Sequence, residues 1–126
     1  MPASASLIPI GSTQTAATSG NVAAAIATAT LASVVGRLQY ITGFSVTGAG
    51  ATVGLPVSVT ITGLLGGTQT FTYSAIAGAL LGNQPLNINF PTPIPASAAN
   101  TAITVSCPSL GLGNTNNTVN AWGYFE

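Results

Sequence analysis

Between Val57 and Thr62 apolar and polar side chains alternate without a break: Val57, Val59 and Ile61 against Ser58, Thr60 and Thr62. A period of two puts one set on each face of a β-strand, whereas a helix would scatter the same residues around its axis. A break at Gly63–Gly67 follows, then a second run with Phe71 and Tyr73 separated by Thr72, so the stretch reads as a hairpin. The same alternation recurs along the chain. It places Leu38, Tyr40, Phe44 and Val46 on one face, then Leu86, Ile88 and Phe90 against Asn87 and Asn89. Ile103, Val105 and Cys107 share a face, and near the end Val119, Ala121 and Phe125 oppose Trp122 and Tyr124.

Two further segments bring the expectation to about eight strands. One is a short run from Leu7 to Ile10. The other is residues 22–32, where Val22, Ile26 and Leu31 do not fall on one helical stripe despite the many alanines. Gly- and Asn-rich loops are expected at Thr47–Gly54 and Pro108–Thr118. Pro91, Pro93 and Pro95 each lack a ladder donor, so Phe90–Asn100 is expected to be an extended edge or a loop. The first 20 residues are small and polar and read as an arm, residues 1–20, preceding a domain over residues 21–126. The predicted fold is all-β: a single antiparallel β-sandwich, jelly-roll-like.

Charge decides what such a sheet can do. Of 126 residues only 2% are charged, Arg37 and Glu126, and there is no Asp, Lys or His. The hydrophobic fraction of 47% is that of an ordinary core-forming domain, which argues against disorder. The most apolar run, Val22–Val35, is too short and too rich in Thr and Ser for a spanning helix, and Arg37 follows it where an export signal would carry its charge first. No membrane association is expected, and synthesis is expected in the cytoplasm.

Catalysis is not expected. General acid–base work needs tuned titratable groups, and a Ser or Thr nucleophile needs a neighbouring base. A free Pro2 amine, were Met1 removed, would have only Arg37 to assist it. One thiol, one side-chain carboxylate and no imidazole make no metal site, so neither metal nor cofactor is expected. Cys107 closes an alternating run and reads as a small buried hydrophobe. GAGATVG, residues 48–54, leads into another strand rather than the helix a dinucleotide turn requires, and GLGNTN lacks both a third glycine and a helix. Asn116–Asn117–Thr118 matches a glycosylation sequon by chance. A single arginine cannot line a phosphate-binding groove, so nucleic acid is excluded as a partner. Arg37 reads as a structural or interface residue that hydrogen-bonds carbonyls. Trp122 and Tyr124 are the strongest recognition candidates, as cover for one end of the core, as interface anchors or as a platform for sugars.

A neutral sheet protein lacks the repulsion that keeps molecules apart, and strand edges without Lys or Glu invite pairing. Association is therefore expected, as a homo-oligomer. The runs ITGFSVTGAGAT (41–52), PTPIPASAANTAI (91–103) and the GLGNTN loop (111–116) resemble a group of small neutral β proteins encoded among bacteriophage and prophage structural genes. The likeness spans residues 36–125. It implies a virion component of the capsid cement or decoration type: a trimer on the outer capsid surface whose partner is the major capsid protein. The rival expectations are a tail or host-recognition module that binds glycans near Trp122, and a bacterial surface β protein.

Overall fold

Eight strands form in the computed structural model, which describes residues 9–74, 76–78, 82 and 84–126. They are β1 (Thr13–Thr18), β2 (Ala27–Leu31), β3 (Gln39–Ala49), β4 (Pro56–Thr62), β5 (Gln69–Ser74), β6 (Leu86–Pro95), β7 (Ile103–Cys107) and β8 (Asn116–Phe125). Two four-stranded antiparallel sheets result, ordered β1-β8-β3-β6 and β2-β7-β4-β5. First pairs with last, second with seventh, third with sixth and fourth with fifth. The chain is thus one long antiparallel hairpin rolled into a sandwich. That is a jelly roll.

The alternation dictates this packing. Inward residues of the β2-β7-β4-β5 sheet, among them Ala29, Leu31, Val59, Ile61, Ile103, Val105 and Cys107, meet Ile41, Phe44, Val46, Val119 and Ala121 of the other sheet. Phe44 is fully buried, with its ring edge-on to Phe71 at 5.1 Å and tilted to Phe90 at 6.2 Å. The outer face of the β2-β7-β4-β5 sheet carries hydroxyls in register. Thr28 lies opposite Ser106, which lies opposite Thr60, and Thr60 opposite Thr70; Thr30, Thr104 and Thr62 form the next row. Side chains of neighbouring strands bond along these rows, Thr28 to Ser106 at 3.3 Å and Thr30 to Thr104 at 3.4 Å.

Three sequence expectations shift. Thr13–Thr18, assigned to the arm, pairs with β8 of the same chain, and Ser19 extends the pairing through reciprocal bonds with Val119. The run from Leu7 to Ile10 yields no strand in its described part, and Leu7 and Ile8 lie outside the described residues, as does the rest of the arm from Met1. In β3 the alternation is not continuous. Ile41 faces Gly123 and Gly43 faces Trp122, so Thr42 is an extra residue, a β-bulge that reverses which side chains point inward. Before the bulge Gln39 and Ile41 are buried, and after it Phe44 and Val46. Tyr40, expected on the core face, therefore lies on the outer face beside Tyr124. The prolines sit where expected, on the sheet-edge strand β6.

At one end of the sandwich the β1–β2, β3–β4, β5–β6 and β7–β8 connections meet. Backbone bonds lace them: Ala24 N–H to Asn114 O (2.8 Å), Thr52 N–H to Leu112 O (2.7 Å) and Gly78 N–H to Ala51 O (2.6 Å). This end exposes Ile26, Val53, Leu55, Ile76 and Leu112. Among the described residues, no helix is long and apolar enough to cross a membrane.

Candidate functional site: the aromatic face around Trp122

The outer face of the β1-β8-β3-β6 sheet gathers the aromatics that the sequence singled out. Period two puts Tyr124, Trp122 and Asn120 of β8 on this face, with Gln14, Ala16 and Thr18 of β1 opposite them in register. The bulge adds Tyr40, directly opposite Tyr124. Their rings stack with centroids 4.7 Å apart and planes 18° from parallel. Tyr124 is almost covered, at 5% exposure, while Trp122 stays half-buried. The pair Trp122 and Tyr124 thus divides its work: Tyr124 is stacked into the sheet and Trp122 is presented.

Arg37 lies apart from them, exposed at the end of the sandwich. Its guanidinium stands 5.7 Å from the Phe125 ring centroid, a cation–π contact worth about 0.5–1 kcal/mol when exposed. The guanidinium thus meets a ring rather than the carbonyls expected of it, while the Arg37 backbone helps to hold the β2–β3 connection, its N–H donating to Val34 O and its carbonyl accepting from Asn100 N–H. Phe125, placed on the core face by alternation, is only half-buried beneath this cation.

The presentation of Trp122 follows from the irregularity of its neighbours. On one side the Thr42 bulge is locked by the Thr42 hydroxyl donating to Trp122 O at 3.1 Å. Beyond β3 on that same side, β6 leaves register between Asn89 and Ile94, because Phe90–Pro93 has only Thr42 to face. A cleft of about 370 Å³ opens there, lined by Gln14, Thr42, Asn89, Phe90, Pro91, Pro93, Trp122 and Gly123. A second hollow of about 270 Å³ lies across the indole, lined by Ala16–Thr18, Asn120, Ala121 and Trp122. Two glycines make the arrangement possible. A Cβ on Gly123 would lie 1.9 Å from Tyr40 O, and one on Gly43 would lie 2.8 Å from Trp122 Nε1 and 2.9 Å from Asn89 Oδ1. Sequence reasoning found Trp122 but missed Gln14, Thr42, Gly43 and Asn89. The break between Thr42 and Gly43 in an otherwise alternating run was the available signal.

No family model matches the chain, and no curated protein or solved structure matches it.

Titratable chemistry is sparse. Among the described residues no cluster of metal-ligating side chains occurs. Cys107 is fully buried, and burial pushes its thiol up to about 11, against a smaller downward pull from a hydrogen bond with Asn117. Tyr40 and Tyr124 are also raised, first by burial and then by the negative charge of Glu126. A raised folded-state value means that folding favours the protonated form. The contribution is complete below the ordinary thiol value of 9.0 and is lost as pH rises through the folded value. Stability is therefore expected to be flat from about pH 6 to about pH 8.5, since the chain has no His. By about pH 11 it should have fallen on the order of 2 kcal/mol. Denaturant melts across this range check it, and a curve still flat at the alkaline end would refute the assignment.

Proposed function

We propose that this chain is a virion structural protein without enzymatic activity: a capsid decoration protein that seats as a homo-oligomer, a trimer, on the outer face of a bacteriophage head. The observation that carries the reading is the laced loop end of the sandwich. Scattered exposed aliphatics are ordinary on a protein surface, but a group of them on neighbouring loops favours a contact surface. Five of the eight large ones exposed among the described residues lie at this end, and Ile10, Val35 and Leu65 lie elsewhere. Here Ile26, Val53, Leu55 and Leu112 are each more than 40% exposed on three cross-linked loops, and no charged residue lies in those loops. The sheet edges support the same reading. β1, β2 and β5 carry none of the Lys or Glu that blunts exposed strands, and only β6 is guarded, by its prolines. Threonine and serine on the outer sheet face order at little side-chain entropy cost compared with Lys or Arg, which suits a surface meant to be covered. The likeness to phage structural proteins supplies the setting, and a neutral surface fits the outside of a head better than the side facing packaged phosphate.

On this reading the partner is the major capsid protein, held through apolar and hydrogen-bonded contacts. Binding should be nearly unchanged between about 0.05 and about 1 M salt, because screening weakens only charge–charge terms. The test is to mix the purified protein with heads lacking it and measure copies bound per capsid subunit at both salt concentrations. Copies matching the number of capsomer positions, at either salt, are expected. A handful of copies per particle would point to a tail position, and binding abolished by salt would defeat the mechanism.

A further inference from the structure

We propose that the Trp122 cleft is a binding site for uncharged saccharides, with a pyranose ring stacked on the indole and a ring hydroxyl held above Gly43. The site lies on a sheet face, away from the loop end that carries the assembly reading, and stands whether or not the protein coats a head. Its size is right: about 370 Å³ falls within the roughly 300–1,000 Å³ of small-molecule sites. Its chemistry is two-sided. Phe90, Pro91, Pro93 and Trp122 offer apolar surface, while Gln14, Thr42 and Asn89 bring amides and a hydroxyl to the same cleft. A sugar ring has the matching character, apolar across its C–H face and polar around its rim. An ionic ligand does not match, because no lining group carries charge and an unpaired charge is costly to desolvate.

The position above Gly43 sharpens the assignment. The point a Cβ would occupy there lies 2.7 Å from Ile88 O, 2.8 Å from Trp122 Nε1 and 2.9 Å from Asn89 Oδ1, so the indole nitrogen and the amide oxygen approach each other over bare backbone. The point itself is a bond length from Gly43 Cα and admits no ligand atom. The indole N–H can only donate, and the amide oxygen can only accept. A hydroxyl that reaches them from the cleft side, clear of the Gly43 backbone, satisfies both, accepting from one and donating to the other. Had residue 43 any side chain, these two atoms could not converge. The second hollow, of about 270 Å³, shares the indole as its wall, so a longer glycan can cover both faces of one ring. Affinity should therefore grow from monosaccharide to trisaccharide.

Trp122 is the only tryptophan, so its emission reports on this site alone. The full chain is titrated with neutral trisaccharides of glucose, galactose and N-acetylglucosamine, beside sialylated and sulfated glycans and a proline-rich peptide. At least one neutral series is expected to saturate the emission change with a Kd of about 0.1–1 mM, in the usual range of weak, few-contact ligands. Asn89→Ala, at an exposed position, should weaken binding about tenfold, the loss of one hydrogen bond, with the melting temperature unchanged. Trp122→Phe, followed by calorimetry, should do the same, since it keeps an aromatic face without the N–H. If Trp122→Phe misfolds, Asn89→Ala decides. No response to any neutral glycan, unaltered affinity in Asn89→Ala, preference for charged glycans or the peptide, or emission that changes only with protein concentration would each overturn the proposal. Failure here leaves head binding untouched, and failure to bind heads leaves this site untouched.

Discussion

Replacing Asn114 with alanine is expected to lower the unfolding free energy by about 3 kcal/mol, and the melting temperature by roughly 10 °C. The side chain is 1% exposed and forms the hub of the β7–β8 connection. Its Nδ2 donates to Ala49 O at 2.9 Å and to Asn116 O at 2.7 Å, and its Oδ1 accepts from Leu110 N–H at 3.3 Å. Alanine would remove all three bonds. Ala49 O keeps the Thr115 N–H at 3.2 Å, but the buried Leu110 N–H would lose its Asn114 acceptor with no water to replace it, which costs more than that bond is worth net. The effect should spread beyond the loop, because Asn114 O also accepts from Ala24 N–H and so ties the β1–β2 connection to this one. Asn116→Ala is the control. That residue is exposed, and its side chain bonds only the Asn21 amide and the Thr115 hydroxyl, so less than about 0.5 kcal/mol should be lost. Urea unfolding of both variants measures the difference. Equal losses would mean that the loop is held by something other than Asn114.

Asn114 also shows where sequence patterning stops informing. The GLGNTN stretch reads as a loop because glycine and asparagine punctuate strands, and a loop it is. Nothing in a period or a propensity says that one of its two asparagines turns inward and ties its own loop to the end of β3 and to the β1–β2 connection. That depends on which carbonyls the distant Ala49 brings within reach, a long-range fact. The sandwich itself was readable for the opposite reason. Alternation is local, and with one face buried a strand has little choice of which residues to hide. The reading failed where that rule was locally broken. One extra residue at Thr42 exchanged the two faces of the first part of β3, moving Tyr40 from the core to the stack on Tyr124 and taking Gln39 inward instead. Gln39 is tolerated there because its Nε2 donates to Ala32 O at 2.6 Å. The strand β1 was missed because Thr13–Thr18 is small and mostly exposed, so it has almost no hydrophobic contrast. Its place is set by the edge that β8 offers. The candidate site inherits both failures. Trp122 was visible, but the cleft beside it exists only because β3 bulges and β6 swings out of register, and Gln14 comes from the strand the pattern could not show.

Placing lysine at both Val53 and Leu112 is expected to reduce head binding by at least 100-fold while changing the stability of the free protein by less than about 0.5 kcal/mol. The two side chains are 55% and 74% exposed, so neither contributes much to the core. They stand on loops joined by the Thr52–Leu112 backbone bond, and so they occupy one patch. Removing their apolar area from an interface forfeits about 25 cal/mol for each Å² no longer buried, and desolvating two ammonium groups without partners adds to the loss. Because the free chain has almost no charge of its own, the new lysines would find no carboxylate nearby to neutralise them. The same substitutions placed on the opposite end of the sandwich, at Val35 and Leu65, provide the comparison, since these are equally large and exposed, at 92% and 61%. If the laced end is the one that meets the shell, only the first pair should abolish binding in a co-sedimentation assay with heads. If the second pair does so instead, the molecule sits the other way up. If neither does, contact runs through the uncharged sheet faces, and the loop end is not the docking surface.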